Sequence, residues 1–184
     1  MNKKHLIILG LIFTVIAVTS RLIDHPWNFT PLAALALFSG FVLPKKYLAL
    51  PLAAQFVSDI FIGTYTWQIM VVVYASYAIM ALSAYALRER YNFGTVVVSS
   101  LGASILFYLA SNAAVWLWSG MYPVNLGGLI SSLAAGIPFF RNTMMGDLFF
   151  VGVFFGAYEL ARSAVPGYIK QSFHSMAKFR AFND

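Results

Sequence analysis

The run Arg21-Leu-Ile-Asp24-His25-Pro26-Trp27-Asn28-Phe29-Thr30-Pro31 concentrates ionisable, amide and aromatic side chains between two apolar stretches. Arg21 offers a planar fork of donors, Asp24 accepts, and His25 changes charge near neutral pH. Trp27 can stack on a planar ring. Such a set suits an anionic or heterocyclic small molecule. The same residues also have a plain structural use: Arg21 and Asp24 can pair across one helical turn, and Asn28 or Thr30 can cap a helix that has Pro31 at its first position. Trp67, Trp116 and Tyr122 add aromatic surface elsewhere. Asn112 and Asn142 add amides: Asn142 is expected to cap a helix, and Asn112, in the middle of an apolar run, to bond to another helix or line a cavity. Together with Arg21, Asp24, His25, Trp27 and Asn28, these five complete the candidate substrate-binding set.

Two carboxylates, Asp59 and Asp147, fall in apolar surroundings. A pair of intramembrane aspartates can share a proton and activate water, and Gly146-Asp147 faintly echoes a Gly-Asp motif of that chemistry. There is no Tyr-Asp partner motif, and placement near helix ends accounts for both residues, so no catalytic residue is expected and the chain is not read as an enzyme. His5, His25 and His174 are scattered, and neither a His-Glu-xx-His helix nor a phosphate-cradling Gly-rich loop is present, so no metal or cofactor is expected. Cysteine is absent, which removes thiolate ligands, disulfides and a Cys nucleophile.

The elements that must position these residues are membrane helices. The chain has 184 residues, of which 60% are hydrophobic and only 10% charged, and its mean hydropathy is +0.77, outside the range of soluble domains. At about 20 residues per span the length allows roughly five to seven spans in one domain. A first helix covers Leu6 to Ser20 after Lys3 and Lys4, and is read as a span rather than a cleaved signal because Ala17-Val-Thr-Ser20 is a poor cleavage site. A short second helix runs from Pro31 to Val42, and a third from Tyr47 to Ile62, bent near Pro51 and carrying Gln55, Ser58 and Asp59. The fourth covers Gln68 to Leu87 and the fifth Thr95 to Trp118. From Asn125 a small-residue stretch is expected to be short or re-entrant, interrupted at Pro138 and Arg141, before a sixth span from Asn142 to Arg162. A seven-span count is the rival. Residues 1–165 then form one transmembrane domain, and 166–184 a basic tail suited to anionic lipid headgroups.

Six spans with a cytoplasmic N-terminus place Lys3, Lys4, Lys45, Lys46, Arg88, Arg90, Arg162, Lys170, Lys178 and Arg180 inside, which is ten of the twelve Lys and Arg residues. Only Arg21 and Arg141 stay outside, so both termini are expected in the cytoplasm. This asymmetry also accounts for the net charge of +6 without a nucleic-acid partner. Gly152-xxx-Gly156, Ala110-xxx-Ala114 and Gly128-xxx-Ser132-xxx-Gly136 are spacings that let helices approach closely, read first as internal packing and alternatively as a docking face. Glu159 and Arg162 should pair at the cytoplasmic end. Asn28-Phe-Thr30 matches a glycosylation acceptor, but Pro31 follows it and it is discounted.

The order of features resembles the substrate-binding S components of energy-coupling factor vitamin transporters: an outer loop leading into Asn28-Phe-Thr30-Pro31, the Gly40 turn, a Pro51 helix ending in Ser58-Asp59, and a Pro138 segment before the last helix. That resemblance implies a compact bundle of about six helices in a bacterial inner membrane, an outward-facing site for a small aromatic or heterocyclic solute, and a partner energising module. The usual Ala-xxx-Ala docking pattern of the first helix is replaced by Gly10-xxx-Thr14. The strings Arg21, His25-Pro-Trp27-Asn28-Phe29-Thr30-Pro31, Leu37-Phe38, Pro51-Leu-Ala and Ser58-Asp59 are similar to an uncharacterised bacterial membrane family, over about Arg21 to Glu159. Rod-shape scaffold proteins of the MreD type look similar in outline and imply a non-transport role.

Overall fold

The structure is a computed structural model describing residues 3–163. The expected basic tail, 166–184, lies outside the described residues. Among these, six α-helices form one all-helical bundle: α1 (Lys3–Leu22), α2 (Leu32–Phe41), α3 (Leu50–Ile62), α4 (Trp67–Ala86), α5 (Phe93–Trp118) and α6 (Leu126–Ser163). Four of them, α1, α4, α5 and α6, are long and apolar enough to cross a membrane. At 1.5 Å per residue α2 and α3 reach only about 15 and 20 Å, short of a hydrocarbon core of about 30 Å.

The core is largely apolar, but α3 turns a polar face inward. On α3 the buried residues are Pro51, Ala54, Gln55, Ser58 and Asp59, a single helical face, whereas Phe56, Ile60 and Phe61 are exposed. Lipid is as apolar as a core, so nothing drives those large side chains inward. What must be shielded is the polar face. α2 lies at the centre, with all ten of its residues buried and contacts to every other helix. Its composition allows this: Ala33, Ala34, Ala36, Ser39 and Gly40 let neighbouring backbones come close. A Cβ on Gly40 would collide with the Ala81 carbonyl and lie 2.6 Å from Ala84 Cβ. Phe13 of α1 stacks on Phe154 of α6, centroids 3.9 Å apart, with Phe38 of α2 at its edge.

One end of the bundle gathers the basic residues near the α2–α3 and α4–α5 turns and the end of α6. Arg88 donates to the Leu43 carbonyl at 3.0 Å, and the Tyr91 hydroxyl donates to Glu159 at 2.7 Å. Glu159 also pairs with Arg162 at 3.6 Å, as the spacing predicts. Arg21 sits at the other end.

Several expectations need correcting. No re-entrant segment separates Asn125 from a shorter last span, because α6 is one helix of 38 residues with Pro138 inside it. Proline lacks the N–H for one helical bond, that to the Ala134 carbonyl, and the helix is held along this stretch by packing on α5. Here the Tyr108 hydroxyl donates to the Leu133 carbonyl, in the turn before Pro138, at 2.7 Å, and Ser132 donates to the Asn112 carbonyl at 2.9 Å. Asn142 is therefore mid-helix and caps nothing. Asp147 lies well inside α6, away from a helix end. The cap of α2 is Pro31, with no side-chain bond from Asn28 or Thr30. The working asparagine caps are Asn92, accepting from Thr95 N–H, and Asn125, accepting from Gly128 N–H, both at 2.9 Å. Gly128 and Gly136 meet Pro123 and Asn112, but added Cβ atoms at Gly152 and Gly156 would find open space, so that pair does not serve internal packing.

Candidate functional site

The depth of the Arg21–Pro31 loop follows from α2. Its far end meets Arg88 at the end of α4, while Ala33, in its first turn, shares a cavity with Tyr77, halfway along α4. The loop must therefore descend from the end of α1 to the middle of the bundle before the chain can become helical again. The turn Pro26-Trp27-Asn28-Phe29 makes this possible. Phe29 N–H bonds to the Pro26 carbonyl at 2.9 Å, and Asn28 takes φ +62, the left-handed conformation that the third position of a type II turn demands and that Asn tolerates. Gly146 then admits the loop backbone: a Cβ there would lie 3.1 Å from Phe29 Cα. Phe29 packs on Phe149 and Phe150.

Under this loop is a cavity of about 30 Å3 lined by Asn28, Thr30, Ala33, Tyr77, Thr143 and Asp147, room for about one or two waters. Asp147 is 3% exposed, and its Oδ2 accepts from Ser104 Oγ at 2.6 Å. Thr143 Oγ1 donates to the Phe139 carbonyl at 2.9 Å, leaving its lone pairs free to accept. Irregular backbone at this depth is tolerated only against protein or a polar cavity. A hydroxyl and carboxylate cluster at mid-depth is the kind of site that membrane proteins keep for function.

A second polar cluster closes the C-terminal end of α1 against α3 and α4. Arg21 Nη1 lies 3.0 Å from Asp59 Oδ1, donates to the Gln55 carbonyl at 3.3 Å and also donates to the Ser58 hydroxyl. Gln55 Nε2 reaches both Asp59 oxygens at 3.0 Å, and Tyr74 donates to Asp59 Oδ2 at 2.9 Å. The partner of Arg21 is thus Asp59 rather than Asp24. With three donors on one carboxylate, this cluster is saturated and structural. Tyr65, in the α3–α4 loop beside it, has its hydroxyl pushed up to about 12, first by burial and then by the Asp59 charge.

The ten sequence candidates do not converge. Asn28 alone of them lines the cavity. Arg21 is held in the ion pair. Asp24 is exposed, and His25 Nδ1 lies 2.7 Å from the Ile23 carbonyl within its own loop. Trp27 is 77% exposed, in a T-shaped contact with Phe139, and Trp67 is 68% exposed. Trp116 Nε1 donates to the Pro123 carbonyl at 3.0 Å, and Tyr122 is half-buried in the same hairpin turn. Asn112 donates to the Tyr108 carbonyl at 2.8 Å, and Asn142 is half-buried on α6. The cavity residues that sequence reasoning missed are Thr30, as other than a cap, with Tyr77, Thr143 and the Ser104 partner of Asp147. Their one signal was hydroxyls recurring on apolar helices. Among the described residues no cluster of three His, Cys, Asp or Glu side chains is placed to hold a metal.

One family matches this chain over residues 1–169, nearly its whole length. The chain belongs to DUF6580, a family of unknown function. No curated protein and no solved structure matches it. Within this DUF6580 protein the site therefore rests on its geometry: a loop dipping from one end, a small polar cavity beneath it, and an ion-pair network fastening the helix that leads into the loop.

Proposed function

We propose that the protein is a membrane transport component that takes a small solute from outside and passes it across with a partner energising module, in the manner of the S components it resembles. The observation that carries this reading is the polar cavity at mid-depth, covered by the irregular Arg21–Pro31 loop. Loop movement is required, because about 30 Å3 does not hold a vitamin-sized molecule. Trp27, in contact with Phe139 and next in sequence to the cavity residue Asn28, would supply aromatic surface for a planar solute. The basic residues gathered at one end support a bacterial inner-membrane orientation with cytoplasmic termini and an outward loop.

The test is to purify the protein from rich medium, identify co-purifying small molecules by mass spectrometry, and screen vitamins and nucleobases by thermal shift. A bound solute is expected, with its shift reduced in Thr143→Val and Trp27→Ala. No co-purified molecule and no shift from any solute would sink the reading. A second reading, an accessory or scaffold subunit, is favoured by Gly152 and Gly156, which leave an open groove on α6. Photo-crosslinking from position 152 in cells then captures one specific membrane protein, and Gly156→Ile abolishes the adduct.

A further inference from the structure

Asp59 and Asp147 are equally buried, at 3% exposure each, but among the described residues only Asp59 has a cationic partner. Among the described residues, Asp147 has one hydrogen-bond partner, the neutral Ser104 hydroxyl on Oδ2, and its other polar neighbours across the cavity, Tyr77 among them, are also uncharged. A carboxylate at this depth needs its charge met by a proton or a bound cation. The start of α2, uncapped by any side chain, contributes about half a positive charge at most. Asn28, Thr30, Tyr77 and Thr143 add oxygen-bearing side chains to the cavity, against an apolar wall of Ala33 and Phe107, and the Thr143 hydroxyl proton is committed to the Phe139 carbonyl. Oxygen ligands with a single negative charge suit a hard cation of charge +1 rather than a divalent ion.

We propose that the cavity beneath the Arg21–Pro31 loop binds a compact monovalent cation, an alkali-metal ion or a primary ammonium head, with Asp147 balancing its charge. This deepens the proposed solute site and rests on the same cavity being the binding site. Asp147 and Thr143, on one face of α6, hold the cation from one side. Asn28 and Thr30 close it from the loop, so occupancy and loop position are linked.

Thermal unfolding of the detergent-purified protein at one pH and ionic strength, in sodium, potassium, methylammonium or choline chloride, tests this. Sodium, potassium or methylammonium should raise the midpoint saturably above choline, by about 5–10 °C near one hundred times Kd. Stabilisation by an alkali ion alone identifies an ion site, and by methylammonium alone an ammonium site. Asp147→Asn should remove the shift. Thr143→Val, which keeps the carboxylate, should weaken it at least tenfold in apparent Kd, and Glu89→Gln at the other end should leave it unchanged. Equal midpoints in all four salts, with Asp147→Asn as stable as the parent or more so, would mean that a proton alone neutralises Asp147 and overturn the proposal. A neutral solute whose shift survives Asp147→Asn would also overturn it, while leaving the transport reading standing.

Discussion

Arg21 looked like a ligand residue because an arginine beside an apolar segment needs a reason to be there, and Asp59 supplies that reason. The pair sits at 15% and 3% side-chain exposure, so removing one charge strands the other. Asp59→Ala is expected to cost about 3–5 kcal/mol, and the double variant Arg21→Met, Asp59→Leu to recover much of it, measured as thermal midpoints in detergent. At the alkaline end, Tyr65 and Tyr91 have raised hydroxyl pKa values. For Tyr91 burial is the first cause and the bond to Glu159 the second. A raised folded pKa means the folded state holds the proton more tightly, so this stability is fully present below about pH 10 and lost as pH rises through 12 and beyond. Tyr65→Phe with Tyr91→Phe should flatten the fall in midpoint between pH 10 and 12, with tyrosinate absorbance reporting the titration directly.

At the scale of elements, α2 and α6 show opposite ways of placing a helix in a membrane. α2 is too short to span and is held by close contact on all sides. Gly40→Ala should therefore cost about 1–3 kcal/mol through overpacking against α4, whereas Gly152→Ala, on open surface, should be within about 0.5 kcal/mol of the parent. α6 runs through its internal proline while bonded to α5 on either side of that turn. Tyr108→Phe, which removes the donor to the Leu133 carbonyl, should cost about 0.6–1.7 kcal/mol, the range found for hydrogen bonds between membrane helices. Both contrasts are read from thermal midpoints.

For the whole molecule, α5 and α6 at about 39 and 57 Å exceed the hydrocarbon thickness. They are level at the end where Tyr91 meets Glu159, so the hairpin around Trp116–Leu126 must tilt or stand out of the opposite face. Because the chain has no cysteine, single cysteines report sidedness cleanly. In intact cells a membrane-impermeant maleimide should label Asp24→Cys and Val124→Cys, and should reach Lys46→Cys and Glu89→Cys only after permeabilisation. The reverse pattern would invert the topology proposed from the charge distribution.

The sequence by itself determined the all-helical membrane class, the starts and ends of α1, α4 and α5 to within a few residues, and the Glu159–Arg162 pair. Each of these depends on local chemistry: apolar runs of spanning length, charged turns, and neighbours on one helical face. It also pointed to the Arg21–Pro31 segment as unusual. Tertiary structure decided what that segment does. Arg21 finds Asp59 across the α1–α3 contact, Asn28 turns the loop inward, and Asp147 meets Ser104 from a different helix. The continuity of α6 through Pro138 was equally out of reach, because the α5 contacts that hold this stretch are tertiary. In a bilayer nearly every helix is apolar all round, so periodicity carries little information about which face turns inward. Burial, and with it the site, is settled by which helices pack together.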